Sequence, residues 1–139
     1  MYPTSFDYYK PRSAAEAADL LKKNPEAKLL AGGHSLLPAM KMRLALPTAL
    51  IDISGLKELS GIQAAAGALR IGALTTHAAV AASDAVRSSC PLLAETAAYI
   101  GDGQVRNRGT IGGSLAHADP AADYPTALVA LGATVETGG

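Results

Sequence analysis

The sequence predicts an α+β protein built from two subdomains that meet near residue 58. In the first part of the chain, helical apolar spacing alternates with short apolar stretches, as in a small parallel or mixed sheet covered by helices. Two apolar stretches separated by Ala66-Gly67-Ala68 then indicate a hairpin, after which further helical patterns follow. We therefore assign a small subdomain to residues 1–58 and the first part of a second subdomain to residues 59–139.

The elements of the first subdomain follow from capping residues and apolar spacing. Ser13 and Glu16 form a capping box, which predicts a helix that extends to about Lys23. Short apolar runs predict strands over residues 28–31 and 49–53. A second helix is expected to begin after Ser35, with Pro38 tolerated in its first turn.

The second subdomain is predicted to begin with the two strands of the hairpin, over residues 62–65 and 69–73. Thr76 is a cap residue for a helix that runs through Ala82. The remaining predictions are two helices and one strand, over residues 91–98, 125–131 and 133–136.

Composition excludes several classes of function. The chain has 139 residues, 12 basic and 12 acidic, so no net charge directs it to nucleic acid or to an anionic membrane. No apolar run approaches the eighteen or so residues of a membrane span, and the first residues lack the pattern of a secretory signal. We therefore expect a cytoplasmic protein. Cys90 is the single cysteine, which excludes an internal disulfide or an iron–sulfur cluster bound by this chain alone; we expect its thiol to be buried and inert.

Two glycine-rich segments carry the candidate chemistry. The first is Ala31-Gly32-Gly33-His34-Ser35 and the second is Thr110-Ile111-Gly112-Gly113-Ser114. Glycine allows backbone N–H groups to approach an anion closely, and a helix that follows adds the positive end of its dipole. Hydroxyl groups in both segments provide further donors. Both segments are therefore candidate phosphate-binding turns, although a Gly-Gly pair is more often only a tight turn.

Other chemistries fit the sequence less well. Neither segment has the glycine spacing of a dinucleotide-binding Rossmann turn or the Gly-Lys-Ser/Thr of a P-loop. Ser35 is followed by leucines, so it is not the nucleophile of a hydrolase elbow. A metal site is disfavoured because its candidate ligands are spread along the chain. These ligands are His34, His77, His117, Asp119 and Asp123.

The two glycine segments, in their context, closely resemble the FAD motifs of carbon monoxide dehydrogenase medium subunits. The resemblance extends from Lys28 to Pro38 and from Gly109 to Pro125. The intervening Gly72-Ala73-Leu74-Thr75-Thr76-His77 and the run from Ile100 to Arg108 are also similar. The chain is thus identified as a member of the flavoprotein family of molybdenum hydroxylases, which includes xanthine dehydrogenase.

The resemblance implies an FAD-binding fold of the PCMH/vanillyl-alcohol-oxidase-like type, with FAD extended between two subdomains. It implies that electrons pass from a molybdopterin-containing large subunit, through a small subunit with 2Fe-2S clusters, to FAD and an external acceptor. Asp123 would hydrogen-bond the cofactor and Ile100 would lie against it. The first phosphate segment would comprise Leu29, Leu30, Ala31, Gly32, Gly33, His34, Ser35 and Leu36, and the second Thr110, Ile111, Gly112, Gly113 and Ser114.

The family resemblance also sets expectations about the length of the chain, its arginines and its electron acceptor, and one alternative function remains. Medium subunits are longer and continue with more strands and a carboxy-terminal domain, so we expect a truncated version of the fold. Arg106 and Arg108 can pair with flavin phosphate or with a neighbouring subunit, and ordinary surface pairing is an equal alternative. Quinone, NAD and dioxygen all stay open as acceptors. The alternative function is a subunit-interaction scaffold that binds no flavin.

Overall fold

The computed structural model describes residues 2–138, and its first part is a three-stranded parallel sheet. The strands are β1 (Asp7–Tyr9), β2 (Lys28–Leu30) and β3 (Ala49–Asp52), in the order β1-β3-β2. Helix α1 (Ala14–Lys23) connects β1 to β2, and helix α2 (Leu36–Lys41) follows β2. The central strand β3 is almost wholly buried because it is covered on both edges and by α1.

The second part consists of a hairpin and six short helices. After a 3-10 helix (Lys57–Leu59), strands β4 (Ile62–Ala65) and β5 (Ala68–Ile71) pair antiparallel. Ala66 and Gly67, both with positive φ, form the turn between them. The helices are α3 (His77–Ala82), α4 (Asp84–Ser89), α5 (Pro91–Tyr99), α6 (Gly103–Arg108), α7 (Ile111–His117) and α8 (Asp123–Ala130).

Side-chain caps begin the helices where the sequence predicts them. The Ser13 hydroxyl accepts a hydrogen bond from the Glu16 N–H at 3.1 Å, and the Glu16 carboxylate accepts from the Arg12 N–H at 2.7 Å. The Thr76 hydroxyl accepts from the Ala79 N–H at 3.2 Å. Each cap satisfies an N–H group that has no partner inside its helix. The structure confirms both predicted helix starts.

Two hydrophobic clusters form the core. One joins the parallel sheet to α1 and includes Leu74 from beyond the hairpin, and the other joins the helices of the second part. The clusters are consistent with a subdomain boundary near residue 58. The boundary stays a prediction, because Leu74 lies beyond it in the chain but packs in the first cluster. The buried members are Ala17, Ala27, Ala49, Ile51, Ile53, Leu56 and Leu74 in the first, and Val80, Val86, Leu93, Ala94, Ala97, Ile111 and Tyr124 in the second.

The structure corrects the sequence predictions at several points. The strand predicted over residues 133–136 is wrong, because this segment pairs with no strand within residues 2–138 and Val135 is exposed. The second glycine segment is not a turn but the cap and first turn of α7. The sequence analysis also missed β1, α4 and α6.

The start of α7 is held tightly against the segment before α3. The Ile111 N–H donates to the Thr75 carbonyl at 3.0 Å, and the Gly112 N–H donates to the Ala73 carbonyl at 2.9 Å. A β-carbon on Gly112 would lie 2.5 Å from that of Ala73 and 2.8 Å from its α-carbon. Glycine is therefore required at position 112 by packing within the protein.

The buried pair of His77 and Tyr124 joins α3 to α8 within the second cluster. The His77 Nδ1 lies 3.1 Å from the Tyr124 hydroxyl, and the two ring centroids are 5.3 Å apart. Burial lowers the pKa of His77, with a further contribution from the charge of His34. Burial also raises the pKa of the Tyr124 hydroxyl. Both side chains are therefore neutral near pH 7.

We expect Gly112→Ala to lower the free energy of unfolding by about 2 kcal/mol, because the added β-carbon must displace the backbone of residue 73. Urea unfolding followed by circular dichroism measures the change. Gly103→Ala is the matched control, since nothing lies within 4 Å of a β-carbon at this helical position. Its stability should be unchanged or raised by up to about 1 kcal/mol. Equal stabilities for the two variants would contradict the packing assignment.

We expect the free energy of unfolding to fall as the pH drops below about 6.5, the ordinary pKa of an unfolded histidine. The unfolded chain binds a proton at His77 at a pH where the folded protein, with its lowered pKa, does not. This contribution is complete above that pH and is lost as the pH falls toward the pKa of folded His77. Urea unfolding between about pH 5 and 8 should show a shallower decline for His77→Asn than for the wild type. Parallel pH profiles would show that other groups cause the dependence.

Candidate cofactor-binding site

The first glycine segment leaves the carboxyl end of β2 and leads into α2. Gly33 has a φ of +79°, in the left-handed region that favours glycine. The His34 Nδ1 lies 3.3 Å from the Gly32 carbonyl oxygen, within the same loop. Ser35 precedes α2, but its hydroxyl makes no capping hydrogen bond there. The loop therefore has a defined backbone and exposed polar side chains at positions 34 and 35.

The backbone donors of this loop are unused by the protein. Over residues 2–138, no N–H group of residues 32–35 donates a hydrogen bond to a backbone or side-chain acceptor. The first bond of α2 begins later, from the Leu37 N–H to the Gly33 carbonyl at 3.0 Å. Consecutive free N–H groups near a positive-φ glycine form a concave site for an anion. This run of donors is the strongest sign of an anionic ligand in the molecule.

The two glycine segments meet in space. A β-carbon on Gly32 would overlap the carbonyl oxygen of Arg108 and lie 2.9 Å from the α-carbon of Gly109. A β-carbon on Gly113 would lie 3.9 Å from that of Ala31. The first segment thus packs against the backbone of Arg108 and Gly109, just before the second segment, and Ala31 lies beside Gly113. This proximity is what one shared phosphate site requires.

A cleft of about 120 Å³ lies where the segments meet. Its lining includes three hydroxyl side chains and one amide, and its single charged residue is Arg108. A broader depression of about 410 Å³ adjoins it and shares Leu74 and Thr76. Because whole-ligand pockets measure roughly 300–1,000 Å³, the cleft can enclose only part of a large ligand. The cleft is lined by Ala31, Gly32, Ser54, Leu74, Thr76, Asn107, Arg108 and Thr110.

The second glycine segment has a different role from the first. The N–H groups of Ile111 and Gly112 donate to carbonyls of residues 73–75, and the Gly113 N–H donates to the Thr110 hydroxyl at 3.1 Å. These three donors are therefore occupied. The Ser114 hydroxyl makes no hydrogen bond within the part of the chain that the structure describes, so it is the available donor here.

The remaining candidate residues border these segments to different degrees. Leu29 and Leu30 end β2, and Leu36 begins α2, so all three flank the first segment. Asp123 is exposed at the start of α8, which contacts α7. Ile100 is half-buried at the end of α5 and packs on the second cluster. Leu29, Leu30 and Leu36 thus flank the first segment, whereas Asp123 begins a helix that contacts α7 and Ile100 ends α5.

The loop between α5 and α6 is fixed by polar contacts. The Arg106 guanidinium donates to the carbonyls of Ile100 and Gly101, each at 3.2 Å, so this arginine holds its own loop. Hydrogen bonds from the N–H groups of Val105 and Gln104 lower the pKa of the Asp102 carboxyl, which caps α6. These contacts set the position of the loop that leads into α6, the helix that precedes the second segment.

The carboxyl end of β3 is fixed in a similar way. Burial of Asp52 opposes its ionisation, but hydrogen bonds from Ser54 and from the Tyr8 hydroxyl hold the pKa of this carboxyl below its usual range. The Ser54 N–H donates to the Asp52 carboxylate at 2.9 Å. Since Ser54 lines the cleft, Asp52 sets one wall of the site.

Sequence reasoning assigned no role to Ser54, Thr76 or Asn107, although all three line the cleft. Thr76 stands in the segment that resembles the family, yet only its capping role was evident from the sequence. Ser54 stands in no segment that resembles the family, and Asn107 lies in the similar run from Ile100 to Arg108 but has no role of its own assigned there. Their proximity to residues 31 and 32 arises only from the tertiary fold.

The residues present fit a dinucleotide such as FAD at its anionic part. Among residues 2–138, backbone donors and hydroxyls without protein partners and an arginine surround the meeting point, and none of the residues that line the cleft is acidic. A divalent metal has no comparable site, since no group of three or more His, Cys, Asp or Glu residues among residues 2–138 is arranged to hold one. Across the same residues, no helix combines the length and apolarity that crossing a membrane requires.

Comparison with known proteins agrees with this geometry. Residues 4–139 match the family described as the FAD binding domain in molybdopterin dehydrogenase. The chain is 49% identical over 132 residues to the carbon monoxide dehydrogenase medium chain of Hydrogenophaga pseudoflava, covering 94% of this chain and 46% of that one. It is 43% identical over 135 residues to the glyceraldehyde dehydrogenase medium chain of Sulfolobus acidocaldarius, with 97% and 48% covered. The chain therefore spans about half the length of the curated relatives it matches.

Solved structures show the same fold. Carbon monoxide dehydrogenase from Hydrogenophaga pseudoflava superposes with a TM-score of 0.88 at 52% identity, over 90% of this chain and 44% of that one. Quinoline 2-oxidoreductase from Pseudomonas putida 86 superposes with a TM-score of 0.83 at 41% identity, over 86% and 42%. The family resemblance and the α+β FAD-binding fold are thus confirmed. This chain belongs to the family of FAD binding domains of molybdopterin dehydrogenases.

Proposed function

We propose that the chain is the FAD-binding part of the medium subunit of a molybdenum hydroxylase similar to carbon monoxide dehydrogenase. In this role it carries electrons, through FAD, from iron–sulfur clusters to an external acceptor. The observation that carries the proposal is the meeting of the two glycine segments beside four consecutive unused N–H groups, residues 32–35. The identities of 49% and 43% to two medium chains support it.

The first glycine segment is proposed to bind the pyrophosphate through its backbone. Within residues 2–138 the N–H groups of residues 32–35 make no hydrogen bond, and the positive φ of Gly33 is the backbone conformation that favours a concave anion-binding loop. The Ser35 hydroxyl adds a donor that no other group uses. Leu29, Leu30 and Leu36 support the loop from β2 and α2.

The second segment is proposed to contact the cofactor mainly through its side-chain hydroxyls, because its backbone N–H groups at residues 111–113 already make hydrogen bonds within the protein. Thr110 lines the cleft, and the Ser114 hydroxyl is free to donate. Ile111, Gly112 and Gly113 keep α7 close to residues 31 and 73, which allows the two segments to meet.

Two further residues are proposed to contact other parts of the cofactor. Asp123 is exposed at the start of α8 and would accept a hydrogen bond from it. Ile100 would pack against it from the loop that Arg106 holds. FAD supplies the redox chemistry, while this chain binds and orients it.

The proposal extends to partners and location. A large subunit with molybdopterin and a small subunit with 2Fe-2S clusters would supply the other redox centres, because the single half-buried Cys90 cannot hold a cluster alone. The names of the related medium chains support a multisubunit assembly. We also propose a cytoplasmic location.

We expect the natively purified protein to contain about one noncovalent FAD per chain, because the site offers hydrogen-bond donors and no covalent link is required. Visible absorption and flavin fluorescence after acid precipitation provide the measurement. Release of FAD into the supernatant supports the proposal. A protein that neither contains nor binds added FAD would instead favour the interaction scaffold, and flavin that stays with the polypeptide would refute noncovalent binding.

We expect Ser35→Ala to weaken FAD binding roughly tenfold, since a hydrogen bond to a charged group contributes about 1.5 kcal/mol or more. Its hydroxyl makes no capping bond, so the free energy of unfolding should change by less than about 0.5 kcal/mol. Fluorescence titration of the apoprotein with FAD gives the affinity. Ser89→Ala, at an exposed helical position away from the cleft, is the control and should bind as the wild type does. Unchanged affinity in Ser35→Ala would remove Ser35 from the site.

A further inference from the structure

The buried pair of His77 and Tyr124 lies beside Gly109, the residue that precedes the second glycine segment. Tyr124 is fully buried and His77 is 4% exposed, and their side chains are 3.1 Å apart at the His77 Nδ1 and the Tyr124 hydroxyl. Tyr124 is the residue next to Asp123 at the start of α8. The pair therefore connects the second segment with a residue that the proposed function places on the cofactor.

The surroundings of the Tyr124 hydroxyl indicate the direction of this hydrogen bond. Within residues 2–138, the Tyr124 hydroxyl has no other hydrogen-bond partner than His77. Because a buried hydroxyl proton needs an acceptor, we assign Tyr124 as the donor to Nδ1 and place the proton of the neutral imidazole on Nε2. Substitution of Tyr124 by phenylalanine would leave Nδ1 without its donor while keeping the aromatic volume.

His77 holds the chain that leads into the second segment by two contacts. Its N–H donates to the Gly109 carbonyl at 3.0 Å. Its ring also lies so close to Gly109 that a β-carbon there would be 2.6 Å from the His77 Nε2. The ring thus packs against Gly109, whose backbone also lies against Gly32 of the first segment.

We propose that His77 and Tyr124 are positioning residues for the cofactor site, which set the second glycine segment and the start of α8 at the spacing that FAD binding requires. The inference rests on the proposed function. Neither side chain lines the cleft, so they act through Gly109 and Asp123 and not by contact with the cofactor. A small rotation of the imidazole would shift Gly109, and with it the start of the second glycine segment, relative to Gly32 in the first segment.

We expect Tyr124→Phe to raise the dissociation constant for FAD roughly tenfold. A displaced second segment would lose about one hydrogen bond to the charged cofactor, and the loss of one such bond weakens binding by about that factor. Fluorescence titration of the apoprotein with FAD, well below the unfolding temperature of each variant, gives the constants. Val86→Ala is the matched control, because Val86 is fully buried in the same cluster but lies on α4. Its unfolding temperature should fall, while its dissociation constant for FAD should stay within about twofold of the wild type.

His77→Asn provides a second test, because the asparagine side-chain oxygen can accept from Tyr124 in place of Nδ1. Its affinity for FAD should exceed that of His77→Leu, which has no acceptor. Equal affinity of Tyr124→Phe and wild type would overturn the inference, as would an equal loss in Val86→Ala. If Tyr124→Phe does not fold, equal affinities of the two His77 variants overturn it. A wild-type protein that binds no FAD would instead overturn the proposed function itself.

Discussion

The contact between Gly32 and the backbone of residues 108 and 109 is the constraint on which the rest of the site depends. A β-carbon at position 32 would overlap the Arg108 carbonyl, so the two segments can meet only if this residue has no side chain. The contact joins the loop after β2 to the loop before α7; Ala31 of the former packs on the first hydrophobic cluster, and Ile111, just after the latter, belongs to the second. One glycine thereby links the parallel sheet to the helical part of the molecule at the point where the cofactor is proposed to bind.

The two glycine segments look alike in sequence but differ in physical role. In the first, residues 32–35 keep their N–H groups free, as an anion-binding loop requires. In the second, Gly112 and Gly113 stand inside a helix whose first N–H groups are already bonded. Its glycines permit close packing against residues 73 and 110. The shared Gly-Gly pattern thus serves ligand binding in one segment and backbone approach in the other.

Local signals were sufficient to predict much of the fold. Ser13 and Thr76 cap helices as expected, and the hairpin turns at Ala66 and Gly67. Strand β1 has only three residues and is defined by its parallel pairing with β3, about forty residues away, which no local pattern reveals. The segment over residues 133–136 has strand-like composition but no partner within the described residues, and composition alone does not form a strand.

The candidate site was predictable only as far as its motifs extend. Glycine, serine and threonine in residues 31–35 and 110–114 marked the two segments, and family resemblance added Ile100 and Asp123. The walls of the cleft formed by Ser54 and Asn107 depend on how β3 and α6 approach the segments, which the sequence does not encode locally.

The His77–Tyr124 pair shows why a buried polar contact can matter to a site that it does not touch. Its two partners lie 47 residues apart in the chain, and burial keeps both neutral, so their hydrogen bond is retained where water cannot replace it. An apolar pair would fill the same volume but would not fix the orientation of the ring against Gly109. Because Gly109 adjoins the Gly32 contact, the orientation of one imidazole bears directly on the spacing of the two glycine segments.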